Sequence, residues 1–170
     1  MRADSAQVND WITEAGTRDW MDPAHWHWNT LADIAPRSLL ALLSLRSRVF
    51  VVEQACIYLD PDDLDLDAHF LHASVSGHCV ATARVLGANL RFAEPSIGRV
   101  CIAPELRRVG LGRALMREAV KGCRDRFPGQ TIRISAQAYL TDFYRSFGFD
   151  VASGTYLEDD IPHVEMVLAA

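Results

Sequence analysis

The sequence predicts a single domain in which helices and strands pack as layers of a mixed α/β structure. A chain of 170 residues suits one domain, because domains most often hold roughly 100–150 residues. Hydrophobic residues make up 49% of the chain and charged residues 23%, as in ordinary globular proteins with one sizeable core. Apolar stretches with strand-like alternation are interspersed with stretches that repeat every three or four residues. Such interspersed elements pack as layers of helix and sheet.

The N-terminal segment and the first strand come before any catalytic signal. Residues 1–24 are polar and carry Trp11 and Trp20, which predicts either a flexible extension or a short helix docked by those tryptophans. Residues 25–170 form the predicted domain. Histidine and tryptophan alternate at the start of the domain, so residues 25–29 open its first strand.

An amphipathic helix and an acidic loop follow. From Pro36, which suits the first turn of a helix, leucines recur at three- and four-residue intervals up to Val49. Residues 58–67 contain Pro61 and five aspartates, a composition that excludes a regular strand. These carboxylates predict either a solvated turn or, if they rim a cleft, a surface that concentrates a cationic amine.

The rest of the chain predicts a hairpin and then alternating strands and helices. Residues 70–75 and 79–86 are largely apolar and flank Ser76-Gly77-His78, which is typical of an antiparallel hairpin. A helix that starts at Leu111 ends before Phe127-Pro128-Gly129, a strong stop signal. The other predicted strands are residues 97–103, 131–136, 149–151 and 163–168, and a short helix covers residues 139–147.

Composition and spacing exclude several classes of function. Seventeen Lys and Arg against 22 Asp and Glu give a net charge of −5, which argues against nucleic acid as a partner. No apolar run approaches the ~20 residues of a membrane span, and no signal-peptide stretch opens the chain, so we expect a cytoplasmic protein without a membrane partner. The four cysteines form no CxxC pair, and the aspartates of residues 60–67 lack the spacing of a calcium loop, so we expect no metal.

The most informative segment is a strand that leads through a basic, glycine-bearing turn directly into a helix. This glycine turn, residues 107–113, reads Arg107-x-x-Gly110-x-Gly112-Arg113. Glycines let the backbone approach a ligand and the first amides of a helix are free donors, so the turn predicts a pyrophosphate site. The match alone also fits a solvated glycine-rich turn, and it lacks the spacing of a dinucleotide fingerprint or a P-loop.

A second motif, one strand later, carries the resemblance to a family. Phe143-Tyr144-x-x-x-Gly148-Phe149, paired with the glycine turn, resembles the two central motifs of the GNAT N-acetyltransferases. The resemblance covers about residues 30–170. Arg46-x-x-Val49-Phe50-Val51-Val52-Glu53-Gln54, Ala136-Gln137-Ala138 and residues 158–163 are similar to an ElaA-type branch of that family.

The resemblance implies a fold, a reaction and a binding site. The fold is a mixed, largely antiparallel sheet of six or seven strands with helices on both faces. The reaction is direct transfer of an acetyl group from acetyl-CoA, without a metal, to a small amine or to an amine of a peptide or protein. The strand before the glycine turn pairs with the pantetheine arm, and the turn holds the pyrophosphate. The implied acetyl-CoA-binding residues are Val100, Ile102, Arg107, Arg108, Val109, Gly110, Leu111, Gly112, Arg113, Gln137 and Tyr144.

Three residues are candidates for catalysis. By resemblance, Tyr144 donates a proton to the departing thiolate, and general acid catalysis of this kind is worth ~10²–10⁴-fold. The alternative is a tyrosine that packs among phenylalanines in the core. Glu53 and His163 are the candidates for the base that takes a proton from the amine, because histidine titrates near neutral pH and Glu53 ends an apolar helix. The amide of Val100 is the implied donor to the oxyanion.

Two further functions stay open from the sequence. A non-catalytic acyl-CoA-binding or regulatory module would keep the glycine turn but lack a working acid, and a partner-binding α/β domain would use neither motif. The acidic residues 158–160 predict either a cationic acceptor or only a solvated turn. Both a monomer and a homodimer are compatible with the sequence.

Overall fold

Strands from the whole length of the chain join one sheet in the computed structural model, which describes residues 5–170. The first four residues of the expected extension lie outside the described residues. Within the described chain the sheet has eight strands in the order β1-β2-β3-β4-β5-β8-β6, and β7 pairs with β8 beside this path. The strands are β1 (His27–Asn29), β2 (His69–Val75), β3 (His78–Leu86), β4 (Ser96–Ile102), β5 (Ile132–Gln137), β6 (Asp150–Val151), β7 (Tyr156–Glu158) and β8 (Ile161–Leu168).

The helices lie where the apolar spacing predicts them, with small shifts at their ends. The described helices are α1 (Ser5–Gly16), α2 (Pro36–Arg46), α3 (Leu111–Arg126) and α4 (Thr141–Arg145). A π-helical turn, Ser47–Glu53, extends α2, so the leucine-rich segment runs past Val49 as one continuous element. The residues after Gln137 form a short 3₁₀ turn before α4, which therefore starts later than the sequence predicts.

All strand pairs are antiparallel except β4 and β5, which are parallel. Helix α3 provides the crossover that a parallel pair requires. The mixed, largely antiparallel sheet is confirmed, and all seven predicted strands form. The eighth strand, β7, was not predicted, and it pairs with β8 through a tight turn at Asp159 and Asp160, with φ of 51° and 61°.

Helices cover both faces of the sheet, as the resemblance implies. Successive side chains of a strand point to opposite faces of the sheet, so Ala81 and Arg84, three positions apart in β3, lie on opposite faces. Ile102 pairs with Ala81 and lies against α3, whereas Arg84 reaches a carboxylate that also binds Arg46 of α2. Helix α3 buries the residues of its predicted four-residue spacing, namely Leu111, Leu115, Ala119 and Cys123.

The described part of the N-terminal segment packs on the domain. Trp11 of α1 is buried and stacks on His78 with 4.9 Å between the ring centroids, and Trp20 is also buried. Ser76, in the same hairpin turn as His78, donates a hydrogen bond to Glu14 at 2.8 Å. Residues 5–16 thus adopt the docked helix, one of the two structures expected for this segment.

Two further observations concern membranes and metals. Among residues 5–170, no helix is both long and apolar enough to cross a bilayer. The same part of the chain holds no group of three or more His, Cys, Asp or Glu side chains that could bind a metal ion. All four cysteines are free thiols, and three of them are buried.

Candidate active site

A cavity of about 780 Å³ opens where β4 and β5 separate. The two parallel strands are registered only at Ser96 and Arg133, near their starts, within the described chain. Beyond this pair, β4 residues on one side and Ser135 and Gln137 of β5 on the other line the cavity. The sheet is therefore split at the carboxyl ends of these strands, and the gap connects its two faces.

A β-bulge in β4 lies at the centre of this gap. Thr82 pairs with Cys101 and Arg84 pairs with Gly98, so two β4 residues, Arg99 and Val100, stand opposite one residue of β3. Neither of these two has a partner in the β3 register. Arg99 has a φ of 49°, in the left-handed region that non-glycine residues rarely adopt. The bulge therefore frees main-chain groups at the cavity wall.

The glycine turn closes one end of the cavity. Gly110 caps the N-terminus of α3 with a φ of 88°, which glycine adopts without the strain of a Cβ. A Cβ at Gly112 would have Ile102 Cδ1, at 3.8 Å, as its nearest neighbour, so the backbone here is open to a ligand. No side chain caps α3, and Arg108 and Arg113 line the cavity beside its first turn. Amide donors and cations thus converge as an anion site requires.

Nine of the eleven implied acetyl-CoA-binding residues line this cavity. They are Val100, Ile102, Arg107, Arg108, Gly110, Gly112, Arg113, Gln137 and Tyr144. Val109 is not among the lining residues and has 49% of its surface exposed, and Leu111 is fully buried in the core. These two positions have only main-chain groups to offer a ligand in the glycine turn.

Tyr144 of α4 is buried against aromatic neighbours and lines the cavity. Its ring lies edge-on to Phe143 at 5.2 Å and to Phe149 at 6.2 Å. Tyr144 thus packs in an aromatic cluster and also reaches the gap, and its role as the acid stays a prediction. Burial, with a smaller contribution from Tyr139, raises the pKa of Tyr144 to about 12. The phenol therefore stays protonated throughout the physiological pH range.

The two candidate bases also line the cavity, in different states. Arg107 binds the Glu53 carboxylate with two bonds of 2.7 and 2.8 Å, so both oxygens of Glu53 are engaged. His163 Nδ1 lies 2.8 Å from the carbonyl oxygen of Ile161. Because a carbonyl only accepts, we assign the proton to Nδ1, which leaves Nε2 as a free acceptor.

Side-chain amides join the end of β5 to the segment after the π-helical turn. Gln137 Nε2 donates to Gln54 Oε1 at 3.3 Å, and the Tyr139 hydroxyl donates to Gln137 Oε1 at 2.7 Å. Gln54 directly follows Glu53, which pairs with the glycine turn. The segment thus bridges both sides of the gap.

A second polar cluster on the cavity wall includes Glu158, one of the acidic residues 158–160 that predict either a cationic acceptor or only a solvated turn. Glu158 of β7 accepts a hydrogen bond from Ser135 at 2.7 Å and another from Arg91 at 2.8 Å. Burial alone raises the pKa of Glu158, but the bonds from Arg91 and Ser135 outweigh it and leave the pKa below its usual value. Sequence reasoning singled out Glu158 but not its partners Ser135 and Arg91, because strand β7 was not predicted.

A network of three arginines and three aspartates packs beside the cavity and is largely buried. Arg46 Nε donates to Asp60 at 2.7 Å, and its terminal nitrogens donate to Asp65 at 2.9 and 3.0 Å. Arg84 also donates to Asp65 at 2.9 Å. The full arginine–aspartate network consists of Arg46, Arg84, Arg99, Asp60, Asp62 and Asp65.

This network corrects both expectations for the acidic loop. Asp60 has 1% and Asp65 8% of its surface exposed, and Asp62 pairs with Arg84. Burial raises the pKa of Asp65, but hydrogen bonds from Arg46 and Arg84 outweigh it and hold the pKa below its usual value. A solvated turn and a rim that concentrates cationic amines are both wrong for these three aspartates, because arginines neutralise them.

Comparisons with known proteins agree with this geometry. The model of the Acetyltransferase (GNAT) domain family matches residues 54–170. ElaA of Escherichia coli is 37% identical over 150 residues, which cover 87% of this chain and 94% of ElaA. A UPF0039 protein of Synechocystis is 38% identical over 144 residues, which cover 84% of this chain and 94% of that protein.

Solved structures show the same fold at similar identity. The crystal structure of an acyl-CoA N-acyltransferase from Pseudomonas aeruginosa is 40% identical, with a TM-score of 0.81 over 85% of this chain and 98% of that chain. The crystal structure of E. coli ElaA is 36% identical, with a TM-score of 0.79 over 84% and 97% of the two chains. The chain therefore belongs to the GNAT family of acyltransferases, among its ElaA-type members.

Proposed function

We propose that this protein transfers the acetyl group of acetyl-CoA directly to a primary amine. One observation carries the proposal: the gap between β4 and β5 is lined by the glycine turn, the β4 bulge and the Tyr144 ring. The glycine turn would bind an anion, the β4 bulge would face the thioester carbonyl, and Tyr144 would lie beside the leaving sulfur. A GNAT acyltransferase fold supports acyl transfer from CoA. We propose in addition that the acyl group is acetyl and that the acceptor is a primary amine.

Acetyl-CoA would bind along the gap. The first-turn amides of α3, with Arg108 and Arg113, would hold the pyrophosphate, because free amides and cations there complement its charge. The main chain of Val100 and Ile102 would pair with the pantetheine arm in the space that β5 leaves free. Arg107 is bound by Glu53, so it contributes less to the phosphate than its place in the motif implies.

The proposed reaction is a single attack followed by collapse. The lone pair of a neutral amine attacks the thioester carbonyl carbon, a C–N bond forms, and the carbonyl electrons move to oxygen. The Val100 amide, free of the β3 ladder, donates to that oxyanion. The electrons then return, the C–S bond breaks, and the thiolate receives a proton from the Tyr144 hydroxyl. The products are an amide and free CoA.

The proton balance closes through a base. A protonated acceptor first gives one proton to solvent. The neutral amine then loses a second proton to the base as it attacks, and this proton returns through solvent to the tyrosinate. We assign the base to His163 rather than Glu53, because His163 Nε2 is a free acceptor whereas both oxygens of Glu53 bind Arg107. Because the pKa of Tyr144, about 12, exceeds a thiol's ordinary ~8.5, the phenol gives up its proton only to a thiolate whose pKa the same burial raises.

The proposed acceptor carries a positive charge before it loses its proton. Glu158 and Asp159, at the end of β7, line the cavity, and Arg91 neutralises only Glu158. A polyamine-like molecule or a basic peptide amine suits this end, because a carboxylate attracts its ammonium group. The four free cysteines suit a reducing cytoplasm, where we place the protein.

A panel of acceptors tests the proposal. Acetyl-CoA is mixed with a polyamine, a basic peptide and an acidic peptide, and thiol release is followed at low and high salt. We expect release with the cationic acceptors, weaker at high salt because ions screen the attraction. Binding of CoA without thiol release from any amine would support the alternative, a non-catalytic acyl-CoA-binding module. Sedimentation of the same sample distinguishes a monomer from a homodimer.

A further inference from the structure

The bulge residue Arg99 has no partner in the β3 register and is held by its side chain. Its Nε lies 2.9 Å from Asp60 Oδ1, and its Nη2 lies 3.3 Å from Asp62 Oδ2 and from the Asp60 carbonyl oxygen. The guanidinium also faces the rings of Phe50 at 6.0 Å and Tyr58 at 5.6 Å. A residue with a φ of 49° persists where its surroundings fix it in this way.

The partner of Arg99 is itself fixed from the opposite side. Asp60 is 1% exposed, and Arg46 donates to its carboxylate at 2.7 Å and to its carbonyl at 3.0 Å. Arg46, 1% exposed, is fixed in turn by two bonds to Asp65. Buried charges that are paired on every side cannot shift without leaving one of them unpaired, which is costly. The arginine–aspartate network therefore forms a rigid link from α2 to the bulge in β4.

We propose that Arg99 and Asp60 are positioning residues for acyl transfer. Their ion pair holds the bulge so that the amide of Val100, the next residue, points into the gap toward the thioester carbonyl oxygen. This role rests on the proposed function. In the proposed reaction neither side chain touches the reacting atoms. Asp60 acts by holding Arg99, and Arg99 acts through the main chain of Val100. If the Val100 amide is displaced by a fraction of a hydrogen-bond length, its bond to the carbonyl oxygen weakens mainly in the transition state.

Kinetics of Arg99→Gln tests the role against a matched control. Arg133→Gln is the control because Arg133 also pairs with two carboxylates, Glu94 and Glu165, and faces an aromatic ring, Phe92, but does not line the cavity. The two arginine side chains are similarly buried, with 17% and 21% exposed.

We expect Arg99→Gln to lower kcat by roughly 10–100-fold with less than about a threefold change in CoA affinity. Arg133→Gln should change neither value, although both variants lower the melting temperature. Arg99→Lys keeps a cation beside Asp60 and should recover part of kcat. If kcat of Arg99→Gln is unchanged, or falls no more than in Arg133→Gln, the network only stabilises the fold and the proposal is wrong.

An amide measurement separates this role from the proposed function. The resonance of the Val100 amide should move further with acetyl-CoA than with CoA, because only acetyl-CoA adds a thioester carbonyl beside that amide, and Arg99→Gln should abolish the difference. Equal shifts with the two ligands in the unaltered protein would overturn the role even if turnover occurs. Should Arg99→Gln fail to fold, Asp62→Asn, which weakens the half-exposed second partner of Arg99 and also a partner of Arg84, should still reduce the difference.

Discussion

Replacing Tyr144 with phenylalanine removes one proton donor and little else. The ring and its edge-on contacts with Phe143 and Phe149 are retained. Among the described residues the Tyr144 hydroxyl has no hydrogen-bond partner, so its removal leaves no protein group unpaired. We therefore expect the free energy of unfolding to change by less than about 1 kcal/mol.

The effect on turnover should be much larger. Without the phenol the thiolate must leave unprotonated or wait for water, and loss of a general acid costs roughly 100-fold or more in kcat. A hundredfold loss corresponds to about 3 kcal/mol of transition-state stabilisation. Because burial raises the pKa of Tyr144 to about 12, its ionisation should not limit turnover below about pH 11.

Steady-state kinetics and calorimetry with CoA measure the two effects separately. A second acyl donor sharpens the test, namely an acetyl thioester whose thiol is more acidic than CoA. A more acidic leaving group needs less protonation, so the defect of Tyr144→Phe should shrink with this donor. Normal turnover in the variant would show that water supplies the proton. An equal defect with both donors, or loss of CoA binding, would give Tyr144 a structural role.

Three other variants probe the site and the fold. Gly112→Glu places a carboxylate where we expect the pyrophosphate, so calorimetry should detect a loss of CoA affinity of at least tenfold. The circular dichroism spectrum should stay unchanged. Unchanged CoA affinity would refute the site. Gly122→Ala should lower the unfolding free energy by about 1–3 kcal/mol, because a Cβ there would overlap the Trp28 ring, whereas Gly87→Ala, with its nearest neighbour at 3.5 Å, should cost less. Because the pKa of Asp65 is lowered in the folded protein, its carboxylate stabilises the fold at pH values above ~3.9, the ordinary pKa of an aspartate in an unfolded chain. This stabilisation is lost as the pH falls through the pKa of Asp65 in the folded protein. Acid unfolding should therefore be steeper in the unaltered protein than in Asp65→Asn. Equal steepness would mean that Asp65 titrates alike in both states.

Local sequence was sufficient for the elements that hold the proposed co-substrate. The positive φ of Gly110 and the packing of the aromatic rings around Tyr144 depend on residues that are adjacent in sequence. A short stretch of sequence therefore predicts both the glycine turn and the Tyr144 helix. The split between β4 and β5 was not predicted, because no residue pattern in either strand marks the point where the two strands separate.

Long-range contacts explain what could not be predicted. Arg46 reaches Asp65 across 19 positions and Arg99 reaches Asp60 across 39, and neither spacing has the period of a helix or strand. An aspartate-rich loop looks solvated until the arginines that neutralise it are located in space. Strand β7 was missed because three residues are too few to show alternation, and its turn has aspartates where glycine would mark a hairpin.

Carbon NMR with carbonyl-labelled acetyl-CoA tests the central claim most directly. The unaltered protein is mixed with the labelled thioester and a cationic amine, and the carbonyl signal is followed over time. Direct transfer predicts that the thioester signal is replaced by an amide signal on the acceptor, with an equal amount of free CoA and no reaction without protein. A label that stays on CoA with every amine, while CoA binds at the glycine turn, would contradict acetyl transfer and leave a binding module.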